Sequence, residues 1–326
     1  MQVHRDINHL PEFRNAVITI GTFDGVHLGH LQIINQLKKE ALAIDGESVI
    51  ITFHPHPRMV IRHEGRKDDN SVKLLNTLSE KIELLSCQGI DHLVVVPFTL
   101  EFSNQSAEEY ISHFLVKNFQ PKIIITGYDH KFGKDRKGDY KMLEKYQFDF
   151  GYEVKEIPEH ILHNVTISST KIRNALIHGD IHTANEYLGY DYFFEGKVIE
   201  GNKIGRTLGY PTANLFIEDA HKLIPAYGIY AVSVNLLKYL PDNPETTIEQ
   251  QDLKGMMSIG IRPTIGDNKL MIEVNIFDFD KNIYGERLRI HTKEYLRSEI
   301  KFENLQELKL QIDRDKMETQ KIFNLQ

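Results

Sequence analysis

A single cysteine, Cys87, in 326 residues rules out an intramolecular disulfide, so nothing in the fold depends on an oxidising compartment. No apolar run approaches the ~18 residues a membrane-crossing helix needs. The opening MQVHRDINHLPEF also lacks an apolar core of the signal-peptide kind, which predicts a cytoplasmic protein with no membrane partner. Low-complexity tracts are missing as well, and 41% hydrophobic with 26% charged residues exclude a disordered or fibrous chain. The net charge is −7 and there is no long basic stripe, which excludes nucleic acid as the ligand, because binding its backbone takes clustered Lys and Arg.

At this length about two domains are expected, each with its own core. The first is organised around residues 17–31, VITIGTFDGVHLGHL. Val17, Ile18, Thr19 and Ile20 predict a short buried strand, Gly21 ends it, and Leu31, Ile34 and Leu37 predict a following helix. His27 and His30 then fall at or just before the helix N-terminus, where free amides and the dipole favour an anion. Gly29 between them has no side chain to intervene, so both imidazoles can face one ligand and donate to a phosphoryl group as its charge grows. Further strands are predicted at 47–53, 92–98 and 121–127, with helices at 78–85 and 106–119, the latter turning Tyr110 and Phe114 inward. Apolar strands alternating with amphipathic helices predict a parallel sheet covered on both faces. The prolines of HPHPR, residues 54–58, end a strand, and its histidines are expected to shape a loop and not to bind metal. RHEGRKDDN, residues 62–70, reads as an exposed loop.

Two later stretches put polar groups where such a sheet binds ligands. In GYDHKFGKDRKGD, residues 127–139, Asp129 stands at the carboxyl end of a strand, followed by Lys131, Lys134, Arg136 and Lys137. In ISSTKIR, residues 167–173, Ser168 or Ser169 can cap a helix and leave hydroxyls and amides for phosphate, with Lys171 and Arg173 supplying charge.

Near Gly189 the patterning changes. FFEGKVI, YGIYAVSVNL, GMMSIG, MIEVNIFDF and RLRIHTKEY alternate apolar and polar residues, which predicts an antiparallel barrel or sandwich. An amphipathic helix over 302–323 is expected to pack on it through Phe302, Leu305, Leu308 and Ile312. No G-x-x-x-x-G-K-[ST] occurs, so there is no Walker loop. Instead GKVIEGNKIGRTLGYPTANL, residues 196–215, holds Gly201, Gly205 and Gly209, which allow backbone to approach a phosphate. Within its PTAN, Thr212 and Asn214 face one side of an extended segment, and such hard neutral oxygens suit Mg²⁺ bridged to nucleotide phosphates. Glu273 is the one carboxylate of the apolar strand MIEVNIF, and a buried carboxylate needs a partner or a task.

GTFDGVHLGH, residues 21–30, resembles the first signature of the nucleotidylyltransferase superfamily, in the form seen in bacterial bifunctional riboflavin kinase/FAD synthetases. ISSTKIR, about 140 residues later, resembles the second. GRTLGYPTANL, LIPAYGIYAV, SIGIRPT, EVNIFDFDKNIYGE and LRSEIKF resemble the riboflavin kinase half and occur in its order, so the likeness covers nearly the whole chain. It implies an α/β plus all-β protein: a Rossmann-like nucleotidylyltransferase domain with a parallel sheet over 1–185, and an antiparallel β-barrel kinase domain with a terminal helix over 186–326. The implied reactions are phosphorylation of riboflavin by ATP to FMN, then adenylylation of FMN to FAD with release of pyrophosphate.

By the same resemblance His27 and His30 serve the adenylylation transition state, while Gly21, Phe23, Asp24, Gly29, Ser168, Ser169, Thr170 and Arg173 hold nucleotide and phosphates. Asp129 and Phe132 lie near the flavin, although His130 stands where the family commonly has Phe. Gly205, Thr212 and Asn214 bind Mg²⁺ and ATP, Thr212 and Asn214 on the metal, and Glu273 takes the proton from the ribityl 5′-hydroxyl. Two rival functions share parts of this pattern. Another nucleotidylyltransferase would lack the PTAN half, and a flavin-binding module without turnover has no need of His27, His30, Arg173, Thr212, Asn214 and Glu273 together. The partners expected are small molecules, namely riboflavin, FMN and ATP, and a homo-oligomer is compatible with the sequence.

Overall fold

The computed structural model describes residues 1–61, 73–127, 130–157, 167–201, 204–240, 243–264 and 267–325. The charged loop expected at 62–70 and the expected flavin contact Asp129 lie outside the described residues. The chain divides into two compact units, Met1–Ser169 and Thr170–Gln326.

In the first unit β1 (Gln2–His4), β2 (Val17–Ile20), β3 (Ser48–His54), β4 (His92–Pro97), β5 (Ile123–Gly127) and β6 (Glu153–Ile157) form one sheet in the order β1-β4-β3-β2-β5-β6. Every pairing is parallel. Successive residues of the inner strands enter opposite cores, which is why their sequences are apolar without alternation. Ile18, Ile20, Val49, Ile51, Val94 and Ile124 pack on one side, and Val17, Ile50, Leu93, Val95, Ile123 and Ile125 on the other.

The chain leaves β2 toward β3 on one side and later returns to place β5 on the other, so the strand order reverses at β2. The carboxyl ends of β2 and β5 therefore frame the crevice where open α/β sheets bind ligands. Helix α1 (Leu28–Ala43) follows β2, and α2 (Leu78–Ser86) starts at a capping box made by Thr77 and Glu80. The helical segment over 107–119 holds a π-helical stretch, Tyr110–Val116, which buries Tyr110, Ile111, Phe114 and Leu115 together. Cys87 caps the end of α2 and is exposed. Helix α3 (Tyr140–Phe150) and the edge strand β6 were not anticipated, because β6 is five residues long and buries only two of them.

The second unit begins with α4 (Ser169–Ile177), whose first residue still belongs to the first unit, and α5 (Ile181–Leu188). A closed antiparallel barrel follows, built from β7 (Phe193–Ile199), β8 (Ala213–Phe216), β9 (Gly228–Leu240), β10 (Asn243–Thr264), β11 (Asp267–Ile276) and β12 (Arg287–Arg297). Closure in the order β10-β11-β8-β7-β12-β9 leaves no open edge, and Val198, Val232, Val234, Ile259, Ile272, Val274 and Ile290 fill the interior.

Helix α6 (Leu305–Ile322) docks through part of the stripe expected of it: Phe302, Leu308 and Ile312 are half-buried, and Leu305 is not. Leu305 is 60% exposed, while Asp315 is 3% exposed and accepts two hydrogen bonds from Arg297, at 2.9 Å from Nε and 2.6 Å from Nη2. Gln311 donates a third at 2.9 Å. A carboxylate removed from water needs this much compensation. Among the described residues no helix is long and apolar enough to cross a membrane.

Candidate active sites

In the first unit the loop from Gly21 to His27 lies at the strand-order reversal and is tightly built. Gly21 N donates to Ile51 O at 3.0 Å. Phe23 and Val26 are each 2% exposed with φ of +48° and +38°, a left-handed conformation costly for residues with side chains, which persists only where the surroundings over-determine it. Asp24, 2% exposed, supplies part of that constraint: its Oδ1 accepts from the Leu75 amide at 3.0 Å and the Asn76 amide at 3.3 Å.

His27 is the N-cap of α1, and its Nδ1 accepts from His30 N at 3.4 Å. The two imidazoles stack with ring centroids 3.7 Å apart and 16° between planes, and Phe23 lies 5.0 Å from the His30 ring. A side chain at Gly29 would stand 3.2 Å from the His27 ring, so glycine there keeps the stack uncrowded. Burial first, then the neighbouring His27 and Lys81, hold the His30 imidazole well below its usual pKa. At neutral pH His30 is therefore uncharged, with one ring N–H to donate. Its Nδ1 is buried and makes no hydrogen bond with the described residues.

The second signature meets the first through Ser169, whose hydroxyl donates to the Asp24 carbonyl at 2.8 Å. Ser168 precedes α4, and Thr170 and Arg173 lie on it, in the second of the two compact units. In the loop after β5, Phe132 is 5% exposed and stacks on Tyr110 at 4.9 Å, and its backbone pairs with Gly138. The structure thus places Phe132 in the core beneath the loop, with Lys131, Lys134, Arg136 and Lys137 exposed around it. Tyr110, on which it stacks, is the first residue of the π-helical stretch. His56 caps the short helix Pro57–Val60, its Nδ1 accepting from Arg58 N at 3.1 Å.

In the barrel, Glu273 of β11 pairs directly with Asn214 of β8, so the two side chains share a face. Ile272 and Val274 on either side of Glu273 are each 1% exposed and point inward, which puts Asn214 and Glu273 on the outer face. Glu273 is half-buried, less enclosed than the sequence suggested. Asn214 is 4% exposed, and its Oδ1 makes no hydrogen bond with the described residues, an acceptor left open at a cost in stability. Thr212 stands half-buried two residues before it, and Gly205 accepts from Tyr210 N at 2.8 Å to close the preceding turn. A cleft of about 220 Å³ runs beside Asn214, lined by Ile199, Phe216, Ile217, Leu270 and Met271.

Two residues missed from the sequence hold this segment. Asn275, on the same face of β11 as Glu273, donates through Nδ2 to Pro211 O at 2.7 Å. The Tyr210 hydroxyl donates to Asp313 of α6, and burial followed by that carboxylate pushes the phenol up to about 12. The signal for Asn275 was available, since it sits at the same two-residue period that linked Thr212 to Asn214. Gly201 is the tightest point: a Cβ there would overlap the Asn214 amide. On the role that the sequence resemblance implies for Asn214, Gly201→Ala is expected to displace it and lower riboflavin phosphorylation by about 10²-fold, while FAD formation from supplied FMN stays near the parental rate. Assaying the two products from separate substrates checks this.

Each of the two compact units thus carries one cluster of polar side chains, a histidine pair at an α/β switch point and Asn214 opposite Glu273 on a closed barrel. Residues 10–171 match the FAD synthetase family and residues 188–323 the riboflavin kinase family. A bifunctional riboflavin kinase/FMN adenylyltransferase of Listeria monocytogenes is 37% identical over 310 residues, 95% of this chain and 93% of that protein. The one from Haemophilus influenzae is 35% identical over 324 residues, 99% of each. A crystal structure described as a macrolide-efflux protein from Streptococcus pneumoniae superposes with a TM-score of 0.83 at 28% identity, covering 98% of both chains. The chain belongs to the bifunctional riboflavin kinase/FMN adenylyltransferase family. It phosphorylates riboflavin with ATP to give FMN and adenylylates FMN to give FAD.

Proposed function

We propose that each reaction is carried by the residues the two centres gather. In the barrel, Glu273 takes the proton of the riboflavin 5′-hydroxyl as that oxygen attacks the γ-phosphorus of ATP, and ADP leaves. Thr212 and Asn214 would hold Mg²⁺, which would supply positive charge for the nucleotide phosphates, Gly205 lets the backbone approach those phosphates, and Gly201 keeps Asn214 in place. The observation that carries this is Asn214, a buried side-chain oxygen with no hydrogen bond among the described residues, standing opposite Glu273 in the strand register. A hard neutral oxygen of that kind fits Mg²⁺, which would neutralise phosphate charge as the γ-phosphoryl moves.

In the α/β unit an FMN phosphate oxygen attacks the α-phosphorus of ATP, and pyrophosphate leaves. His27 and His30 donate to the phosphoryl oxygens. Gly21, Phe23, Asp24 and Gly29 shape the loop, and Ser168, Ser169, Thr170 and Arg173 bind phosphate. Asp129 and Phe132 serve the flavin side, Phe132 by supporting the loop from below. The domain limits we propose are 1–185 and 186–326, and the lone exposed Cys87 supports a cytoplasmic setting.

The test is to incubate the purified chain with riboflavin, ATP and Mg²⁺ and resolve FMN from FAD over time. Both products are expected in that order, and excess EDTA is expected to stop both, because each reaction moves phosphoryl or adenylyl charge that a divalent ion would neutralise. Full turnover in EDTA would remove the metal from the account.

A further inference from the structure

Lys81 is a buried lysine that neither reaction has yet used. It stands on α2, four residues beyond the capping Thr77, and is 6% exposed. Its Nζ donates to the Thr22 carbonyl at 2.6 Å, and among the described residues that is its one hydrogen bond. The Thr52 hydroxyl donates to the same carbonyl at 3.2 Å. The titratable groups facing the ammonium are Asp24 of the loop and His30 of α1. Burial lowers its pKa to about 8, against the opposing pull of Asp24.

An ammonium withdrawn from water with one of its three hydrogens bonded is costly, and a fold retains such a group where the charge meets an anion or holds something in place. Lys81 stands under the loop whose Phe23 and Val26 are held in left-handed conformations, and it grips that loop one residue before Phe23. Its field also helps keep His30 uncharged, so that His30 meets a polyphosphate as a hydrogen-bond donor.

We propose that Lys81 is a positioning residue for adenylyl transfer: its ammonium anchors the Thr22 carbonyl and fixes the Gly21 to His30 loop in the geometry that receives the phosphates of ATP. The inference rests on the adenylylation centre assigned to His27 and His30. A loop held in this way acts on the transition state more than on ground-state binding, so its loss reads in kcat.

The experiment uses the full chain, with riboflavin phosphorylation as the internal control for folding. Lys81→Met keeps the apolar stem and removes the charge. It is expected to lower kcat for FAD formation from supplied FMN by about 10²-fold with KM for ATP within about threefold, and to leave kinase activity unchanged. In Lys81→Ala, propylammonium ions are expected to restore part of the lost rate, and propanol, of similar shape without charge, is not. Parental kcat in Lys81→Met, or equal rescue by propanol and propylammonium, overturns the proposal. If Lys81→Met fails to fold, the Lys81→Ala rescue decides. Should His30→Ala also leave FAD formation intact, the adenylylation centre itself is wrong; should His30→Ala lose it while Lys81→Met does not, only the role of Lys81 fails.

Discussion

Glu273→Gln is expected to lose FMN formation by roughly 10² to 10⁴-fold, the range for a positioned general base, while still converting supplied FMN to FAD at the parental rate. Glutamine keeps the shape of the side chain, its half-buried place on β11 and its register opposite Asn214, so binding of riboflavin should change little. What it loses is an oxygen able to take the 5′-hydroxyl proton as the γ-phosphoryl bond forms. The loss should therefore appear in kcat, with KM for riboflavin nearly unchanged. The assay gives riboflavin or FMN separately, measures both products, and checks folding by circular dichroism. A Glu273→Gln chain that loses adenylylation of supplied FMN as severely as it loses kinase activity contradicts the separation of the two sites.

The architecture was legible because two periodicities dominate the chain. Uninterrupted β-branched runs such as VITI can be buried on both faces only in a covered parallel sheet, and the alternation of MIEVNIF fits a barrel wall. What was not legible lacked a period. Strand β10 runs over Asn243–Thr264, far beyond the GMMSIG that alternation revealed. Its earlier part, IEQQD, is largely polar and exposed and pairs with β9 through repeated register shifts, so backbone hydrogen bonds and not burial define it. Helix α6 was legible only in part for a related reason: Leu308 and Ile312 mark its half-buried face, but the buried Asp315 on that face answers the Arg297 guanidinium, a partner that no period announces.

The site residues divide in the same way. His27, Gly29 and His30 belong to one turn, so their juxtaposition is a property of local sequence. Asn214 and Glu273 were each visible as a chemical type, but their pairing comes from β8 and β11 being neighbours, which no local pattern encodes. Lys81 was invisible in LSEKIELL because a lysine on an amphipathic helix ordinarily faces water. Only the fold turns it under the loop that follows β2.

His30→Ala is expected to reverse the result for Glu273: FAD formation falls by about 10² to 10³-fold, the cost of one donor to developing phosphoryl charge, and riboflavin phosphorylation stays near normal. The ring also packs, stacked on His27 at 3.7 Å and against Phe23 at 5.0 Å, so its removal loosens the loop and a rate loss alone does not identify the donor. His30→Gln separates the two effects, since a side-chain amide keeps a donor and much of the volume; it is expected to retain more adenylylation than His30→Ala. An independent readout follows from the depressed pKa of His30. The folded chain keeps this imidazole neutral while the unfolded chain protonates it near 6.5, so its contribution to stability is full above that pH and is lost as the pH falls below it. Thermal unfolding followed from pH 7.5 down to about 5.5 should therefore show the parent losing stability more steeply than His30→Ala. Parallel unfolding curves would mean that His30 is not held neutral in the fold, and FAD formation at the parental rate in His30→Ala would remove it from the chemistry.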